Sequence, residues 1–535
     1  MIRDLIGHKD QGSEPITADV LVIGAGTAGL VIAARLAAQD LRVVVLESGA
    51  RQQEKDEHPL NEVVQLRSIY TGASRGRFRC LGGTSTRWGG ALIPFVPADM
   101  DPALWPVSHG ELCAYLPDVE ELFGLAPGTY DWTDWAKFGG AQSDHVARLA
   151  KWPPFGKRNV ANLLSSSIDR ADGAEIWLNA TATRFDIGDD RRLGEVTAEA
   201  PDKSKLRVRA QHVVIAAGAI ESTRLLLLAD RQNGDKFFAP DGVLGRYFHD
   251  HLSVGVGDIE AKDRTALNRV AGFRFEKGGS MRNLRFELSE NARQREHLPA
   301  CFAHIAFEET SRSGFEALRA VYRQLQKRRN PSFATLMELA RGFPWLSRAV
   351  WWRFVEGRLL YPSDASIKLI MVLEQPPRAE NRIFLSDDRR DVYGQPLAVI
   401  DWAVGAEDQR AMTEVTDLFM KSWAGTGLAG LGQIHRRPPQ EAEADVAGGG
   451  GIFHPGGTVR MGRTPADGVL NGDLRAFRVP NVHVISTAAF PTGGGANPTM
   501  MLMMCAMRCV AQLSKELKPT SPGTSPATTA LAEAR

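Results

Sequence analysis

Cysteine is scarce in this chain: Cys80, Cys113, Cys301, Cys505 and Cys509 are its five thiols in 535 residues. They are too few and too scattered for a disulfide framework. No pair has a zinc-site spacing, and the odd count fits a reducing compartment. Long hydrophobic runs are missing too, since none approaches the ~18 residues of a membrane span. The stretch Met1–Pro15 is polar and charged and lacks the apolar core of a signal peptide. The cytoplasm is therefore the expected address. An excess of one charge is also absent: Lys+Arg 64 against Asp+Glu 63 leaves +1, so no global field holds a nucleic acid. Internal repeats, His/Cys/Asp clusters with metal-ligand spacing and a Ser-His-Asp arrangement are not evident either. No metal is expected.

What remains is an ordinary globular composition, 43 % apolar and 24 % charged. At ~150 residues per domain the length predicts two or three units. Glycine is plentiful, and its placement is informative. Ala18 to Gly49 reads as strand (Val20–Ile23), glycine turn (Gly24, Gly26, Gly29), helix (Leu30–Ala38) and strand (Val43–Leu46) ending at Glu47. Val213–Ala216 runs into Gly218 and a helical Glu221–Leu228, and Val482–Ile485 runs into Gly493–Gly495 and a helix from Pro498. Three strand–loop–helix units in separate places predict a Rossmann-like α/β domain assembled discontinuously from 16–256 and 446–518. Between them, 257–445 reads as an inserted α+β substrate domain, with strand-like runs such as Ser366–Leu373. The tail 519–535, rich in Pro, Ser, Thr and Ala, is expected to be disordered.

The glycine triplet stands directly after a strand and directly before a helix, as dinucleotide binding requires. Gly24 permits the turn, Gly26 lets backbone approach a pyrophosphate, and Gly29 lets the helix pack on the strand. The free N–H groups at the helix start, near Thr27 and Ala28, would face the phosphates. Glu47, with Ser48 beside it, is placed to accept hydrogen bonds from ribose hydroxyls. An acid there disfavours a 2′-phosphate but leaves NAD and FAD both open.

Further segments bear on that choice: Leu81–Gly90 (LGGTSTRWGG), Val213–Leu228 (VVIAAGAIESTRLLLL), His454–Gly462 (HPGGTVRMG) and Ala496-Asn497-Pro498-Thr499. Shorter matches are Leu244–His251, Glu374-Gln375 with Asn381-Arg382, and Trp105-Pro106-Val107-Ser108. Together, in this order, they resemble the glucose–methanol–choline (GMC) oxidoreductase family from about residue 18 to 515, most weakly across 257–365. The resemblance implies FAD, with Gly82, Gly83, Thr84, Ser85, Arg87, Trp88, Gly89, Ala217, Gly218, Asn497, Pro498 and Thr499 joining the cofactor site. Some members bond FAD through a histidine in a Ser-Thr-His-Trp context. Here that position is Arg87, so FAD is expected to be held non-covalently.

The family implies oxidation of an alcohol by hydride transfer to flavin N5, with a protein base taking the hydroxyl proton. His454 matches the family's catalytic histidine, and an imidazole titrates near working pH. Asn497 matches the partner position, although Asn followed by Pro498 is also an ordinary helix start. Asp473 reads either as a residue near the cofactor or as a turn acid. His249 and His251 read as stabilisers of the domain junction, and Met500–Met507 as core packing. The His/Asn pair and the glycine loop resemble the pyranose- and sugar-oxidising branch, which implies a sugar, glycoside or polyol substrate. Two alternatives stay open: a bulky apolar alcohol taken at a membrane surface, and a FAD-containing hydroxynitrile-type lyase. Trp345, Trp351, Trp352 and the arginines of Arg319–Tyr361 could mark peripheral membrane contact, with helix-core packing the favoured reading. The electron acceptor is left open.

Overall fold

The computed structural model describes residues 1–8, 14–168, 174–238, 240–308, 343–448, 451–495 and 497–517, with isolated positions between 321 and 337. The expected disordered tail, 519–535, and most of the Arg319–Tyr361 segment ahead of residue 343 lie outside the described residues.

The first sheet is built on parallel strands whose residues are apolar on both faces, as burial under two helical layers demands. β2 (Ile16–Ile23) pairs in parallel with β3 (Val43–Leu46) and with β9 (Lys205–Ile215). Beyond β3 come β6 (Glu175–Leu178) and then β1 (Ile2–Asp4). β9 is long enough to serve two partners on its far side. Its first half pairs with the antiparallel β8 (Leu193–Glu199), which leads to β7 (Thr181–Ile187). Its second half takes β18 (Val482–Val484) in parallel, matching Val482 to Val213. The Rossmann-like sheet thus joins strands from opposite ends of the chain. Helices Thr27–Ala37 and Thr499–Leu517 pack on each other and on this sheet, and Met500, Met501, Met503, Met504 and Met507 are buried in its core.

The second sheet is antiparallel, in the order β11 (Arg274–Phe275), β12 (Met281–Leu288), β13 (Cys301–Glu308), β14 (Ser366–Glu374), β10 (His251–Ala261) and β17 (Gly432–Arg436). β12 also pairs with β5 (His145–Trp152), from Met281 opposite Trp152 to Leu288 opposite His145. β5 lies far ahead of residue 257, and β10 begins before it. The second layer is therefore not a simple insertion: it recruits a strand from the stretch assigned to the first unit. A third, small sheet joins β15 (Arg382–Arg390), β16 (Pro396–Trp402) and β4 (Val64–Arg67).

Alternation along the second sheet positions the site. Leu149, Leu284, Phe286, Cys301, Ala303, Ile305, Leu369 and Met371 share a core with Met412, Val415 and Phe419 of helix Ala406–Ala424. Their neighbours Ala150, Trp152, Asn283, Arg285, Phe302, His304 and Val372 face the other way and line a cavity shared with the first sheet.

Candidate active site

One cavity of about 680 Å³ reaches from the end of β3 to the start of the C-terminal helix. Of the residues singled out in the sequence, Gly24, Gly26, Thr27, Ala28, Glu47, Ser48, Gly83, Thr84, Ser85, Arg87, Trp88, Gly89, Ala217, Gly218, His454, Asn497, Pro498 and Thr499 line it. Gly29 and Gly82 do not. Gly29 is buried where a Cβ would stand 2.0 Å from the Gly24 carbonyl oxygen, so its role is helix-to-strand packing. Gly82 donates its N–H to the Ala25 carbonyl (2.9 Å) and ties the glycine loop to the turn between Gly24 and Gly26. Asp473 is outside the lining too. It accepts from Arg508 (2.7 Å) and Gln512 (2.8 Å) on the C-terminal helix.

The cofactor end is shaped by backbone. Gly26 caps the Thr27–Ala37 helix without any side-chain hydrogen bond, which leaves the helix N–H groups to the cavity. A Cβ on Gly26 would meet nothing nearer than the Ala216 carbonyl oxygen at 3.9 Å. Glu47 is 5 % exposed, and its two oxygens accept from Ala25 N and Gly49 N, both at 2.9 Å. Burial nonetheless pushes its carboxyl above the ordinary value. Arg79 braces this end, donating to Ser48 Oγ (3.0 Å) and pairing with Glu221 (2.6 Å). Arg77 hydrogen-bonds the Ala73 and Asn61 carbonyls, and burial lowers it to about 9. Neither arginine was flagged by any sequence pattern. The long cavity with an uncapped helix start at one end and the Glu47 carboxyl beside it fits FAD, which Gly24 to Ala28, Glu47 and the Gly83–Gly89 loop would hold. Arg87 is exposed and donates to Gln53 Oε1 (2.8 Å).

At the other end, His454 is fixed by its main chain. Asp250 Oδ1 accepts from His454 N (2.6 Å) and His251 N (2.7 Å), while Tyr70 donates to Oδ2 (2.9 Å). Burial raises Asp250 to about 7. His454 Nδ1 is enclosed and has no hydrogen-bond partner among the described residues. Burial, then the neighbouring His251 and the Arg285 cation, hold this imidazole well below its ordinary range. It is a neutral imidazole at working pH. The His251 ring stands edge-on to it, with centroids 5.3 Å apart, and is itself tied through Nε2 to the Gly494 carbonyl (2.7 Å). His249 bonds the Tyr247 carbonyl through Nδ1 (3.0 Å). Burial holds both of these imidazoles at about 4.

Asn497 differs from a helix cap. The Leu502 N–H goes to the Pro498 carbonyl (2.9 Å), and the helix runs from Thr499. The Asn497 Oδ1 instead accepts from Arg285 Nη2 (2.8 Å). A guanidinium only donates, so the amide atom facing it is the oxygen, and the NH₂ has no hydrogen-bond partner among the described residues. Arg285, His304 and Trp152 were missed in the sequence; only their alternation with core residues marks them.

A cavity that runs from the glycine turn and helix start of an α/β sheet to a buried imidazole and an amide fits a flavin-dependent oxidoreductase acting on CH–OH groups. Comparison with known proteins agrees. Residues 377–506 match the family described as GMC oxidoreductase, and residues 22–52 match the NAD(P)-binding Rossmann-like domain. The paromamine 6′-oxidase of Streptomyces fradiae is 23 % identical over 93 % of this chain and 92 % of its own. The fructose dehydrogenase large subunit of Gluconobacter japonicus is 22 % identical over 95 % and 99 %. A variant of formate oxidase from Aspergillus oryzae has the same fold, with a TM-score of 0.59 at 15 % identity over 94 % of this chain and 99 % of that one. Over residues 377–506 the chain is thus similar to the GMC oxidoreductases, and these relatives extend the likeness along most of its length.

Proposed function

We propose that the enzyme oxidises a hydroxyl of a sugar, glycoside or polyol to a carbonyl, with His454 as base and Asn497 as its partner. One observation carries the reading: a neutral imidazole and an amide whose NH₂ has no hydrogen-bond partner among the described residues line the same end of the cavity. The Asn497 NH₂ donates to the substrate oxygen and fixes the hydroxyl. Because Nδ1 of His454 is enclosed, Nε2 is the nitrogen that the hydroxyl reaches, and it takes the proton. FAD, when bound, supplies the hydride acceptor. The names of the relatives, which act on a paromamine, a fructose and a C-glycoside, support the substrate class.

The test is anaerobic reduction of the yellow holoenzyme by a panel of sugars, glycosides, polyols and aliphatic alcohols, followed by admission of air. Bleaching by at least one polyhydroxy compound is expected. Failure of every hydroxyl compound to bleach the flavin would favour the lyase alternative instead. FAD is held without a covalent bond in this reading, because an exposed arginine occupies position 87. Acid precipitation should leave a white pellet. The five free thiols support a reducing, cytoplasmic setting.

One feature favours a second reading, an apolar alcohol met at a membrane surface. Helix Phe343–Phe354 buries Trp352 but exposes Val350, Trp351 and Phe354, the last at 78 %, with Val355 just beyond. No helix among the described residues is long and apolar enough to cross a membrane, so contact would be peripheral. Co-sedimentation with anionic vesicles, abolished by Trp351→Ser and Phe354→Ser together, is the expected signature.

A further inference from the structure

On the sheet side of the cavity, the largest polar side chains are committed or closed off. Arg285 holds Asn497 through Nη2, while its Nη1 is enclosed beside Glu287, 3.9 Å from Oε1. The Nε1 of Trp152 is enclosed as well. His304 differs. It stands on β13 between Ala303 and Ile305, which belong to the core on the opposite face, so its ring is turned to the cavity it lines. That ring is half-buried and has no hydrogen-bond partner among the described residues, and neither of its nitrogens is enclosed. Phe302 precedes it on the same face, with ring centroids 6.0 Å apart, and the Arg285 guanidinium carbon lies 3.5 Å from the Phe302 centroid. His304 is thus linked, ring by ring, to the arginine that holds Asn497.

We propose that His304 is a specificity-determining residue: its imidazole bonds a second hydroxyl of the substrate, apart from the one that His454 and Asn497 take. The inference rests on the proposed oxidation of a polyhydroxy compound and names the side chain that selects such a compound over a simple alcohol. Burial, then the Arg285 cation, lowers His304 to about 4, so the ring is neutral at working pH. A neutral imidazole carries one donor and one acceptor. A hydroxyl can meet either nitrogen, accepting from the N–H or donating to the bare nitrogen. A carboxylate only accepts and an ammonium only donates, so each matches one nitrogen alone, and neither finds a counter-charge in this ring. For packing beside Phe302 an all-carbon ring would serve as well, without withdrawing unpaired polar atoms from bulk water. What the imidazole adds over such a ring is hydrogen bonding.

Two variants test the contact. His304→Phe keeps a ring beside Phe302 and removes both polar atoms, whereas His304→Gln keeps a donor and an acceptor. The probes are glucose and its monodeoxy analogues, each added to the oxidised holoenzyme without oxygen. Visible flavin absorbance gives a Kd from the shift on binding or, where the flavin bleaches, kcat/KM for its reduction. In the wild type one analogue, lacking the hydroxyl that His304 bonds, should be weaker than glucose by roughly 3- to 10-fold, the worth of a neutral hydrogen bond. In His304→Phe the ratio of glucose to that analogue should fall to about one, and His304→Gln should restore part of it. A role limited to structure would weaken glucose and every analogue together and leave all ratios alone. Ratios that survive unchanged in His304→Phe, or glucose that neither shifts nor bleaches the wild-type flavin, overturn the proposal. If the ratio collapses in binding while no hydroxyl compound bleaches the flavin, the oxidation falls and the hydroxyl contact stands. If sugars bleach the flavin and every ratio survives in His304→Phe, the contact falls and the oxidation stands.

Discussion

Along the helix that begins at Thr27 the cavity wall is backbone: Gly24, Gly26, Ala217 and Gly218 face it with little or no side chain. Across from it, on β5, β12, β13 and β14, the wall is side chains: Trp152, Asn283, Arg285, Phe302 and His304. The first wall recognises through N–H groups and a helix end, so it tolerates only residues that stay out of the way. The second recognises through what its side chains carry. Damage to the two should therefore look different.

The sharpest contrast is within the glycine triplet. Gly29→Val drives a Cβ into the Gly24 carbonyl, 2.0 Å away, and should yield no folded protein. Gly26→Val meets open space out to 3.9 Å and should fold, yet fill the place of the pyrophosphate and emerge colourless. Circular dichroism with a flavin-to-protein ratio checks both; a yellow Gly26→Val enzyme would break the backbone half of the comparison. On the side-chain half, His454→Ala should keep FAD and lose ~10²–10⁴-fold in anaerobic reduction rate. Stopped-flow at saturating substrate measures it, and near-wild-type reduction would move the base elsewhere.

A smaller effect is expected from pH. Because His454 is held well below 6.5, its free-base form persists as pH falls. The reduction rate should stay level between pH 6 and pH 5, a window that also lies below the value of about 7 for Asp250. An imidazole at the ordinary ~6.5 would lose about eightfold over the same step. A loss of that size in the pH–rate profile of the half-reaction would show an unperturbed base. The smallest effect belongs to Arg87→Ala. Its side chain is exposed and bonded to Gln53, so colour and reduction rate should change by no more than about twofold, as for other surface contacts.

Legibility in the sequence follows the same division. Gly26, Glu47, the Leu81–Gly90 loop, His454 and Asn497 could be singled out because a close approach or a fixed helix start constrains residue type at fixed spacing. Arg285 could not. In β12, Asn283, Arg285 and Glu287 alternate with Leu284, Phe286 and Leu288, the pattern of any strand with one wet face. Here the polar face is the cavity wall, and sequence order does not say which. The pairing of β5 with β12 was hidden for a related reason: the partners are more than a hundred residues apart, and neither carries a mark of the other. Asp250 lay within a quoted motif, but its hold on the His454 main chain is visible only once the loop 451–457 is folded against it.

The strand Val482–Val484, which completes the parallel sheet beside Val213–Ile215, has a consequence for how the protein is made. On the ribosome, β9 is complete once Ile215 has been made, but the strand that pairs with its second half begins at Val482, more than 260 residues later. At ~5–20 residues per second the gap is roughly 13–53 s. For that interval the edge of β9 stands open, and the helix bearing Asn497 does not yet exist. The flavin thus meets a finished pocket only after Leu502 has been made, and its arrival reports that both ends of the sheet have met.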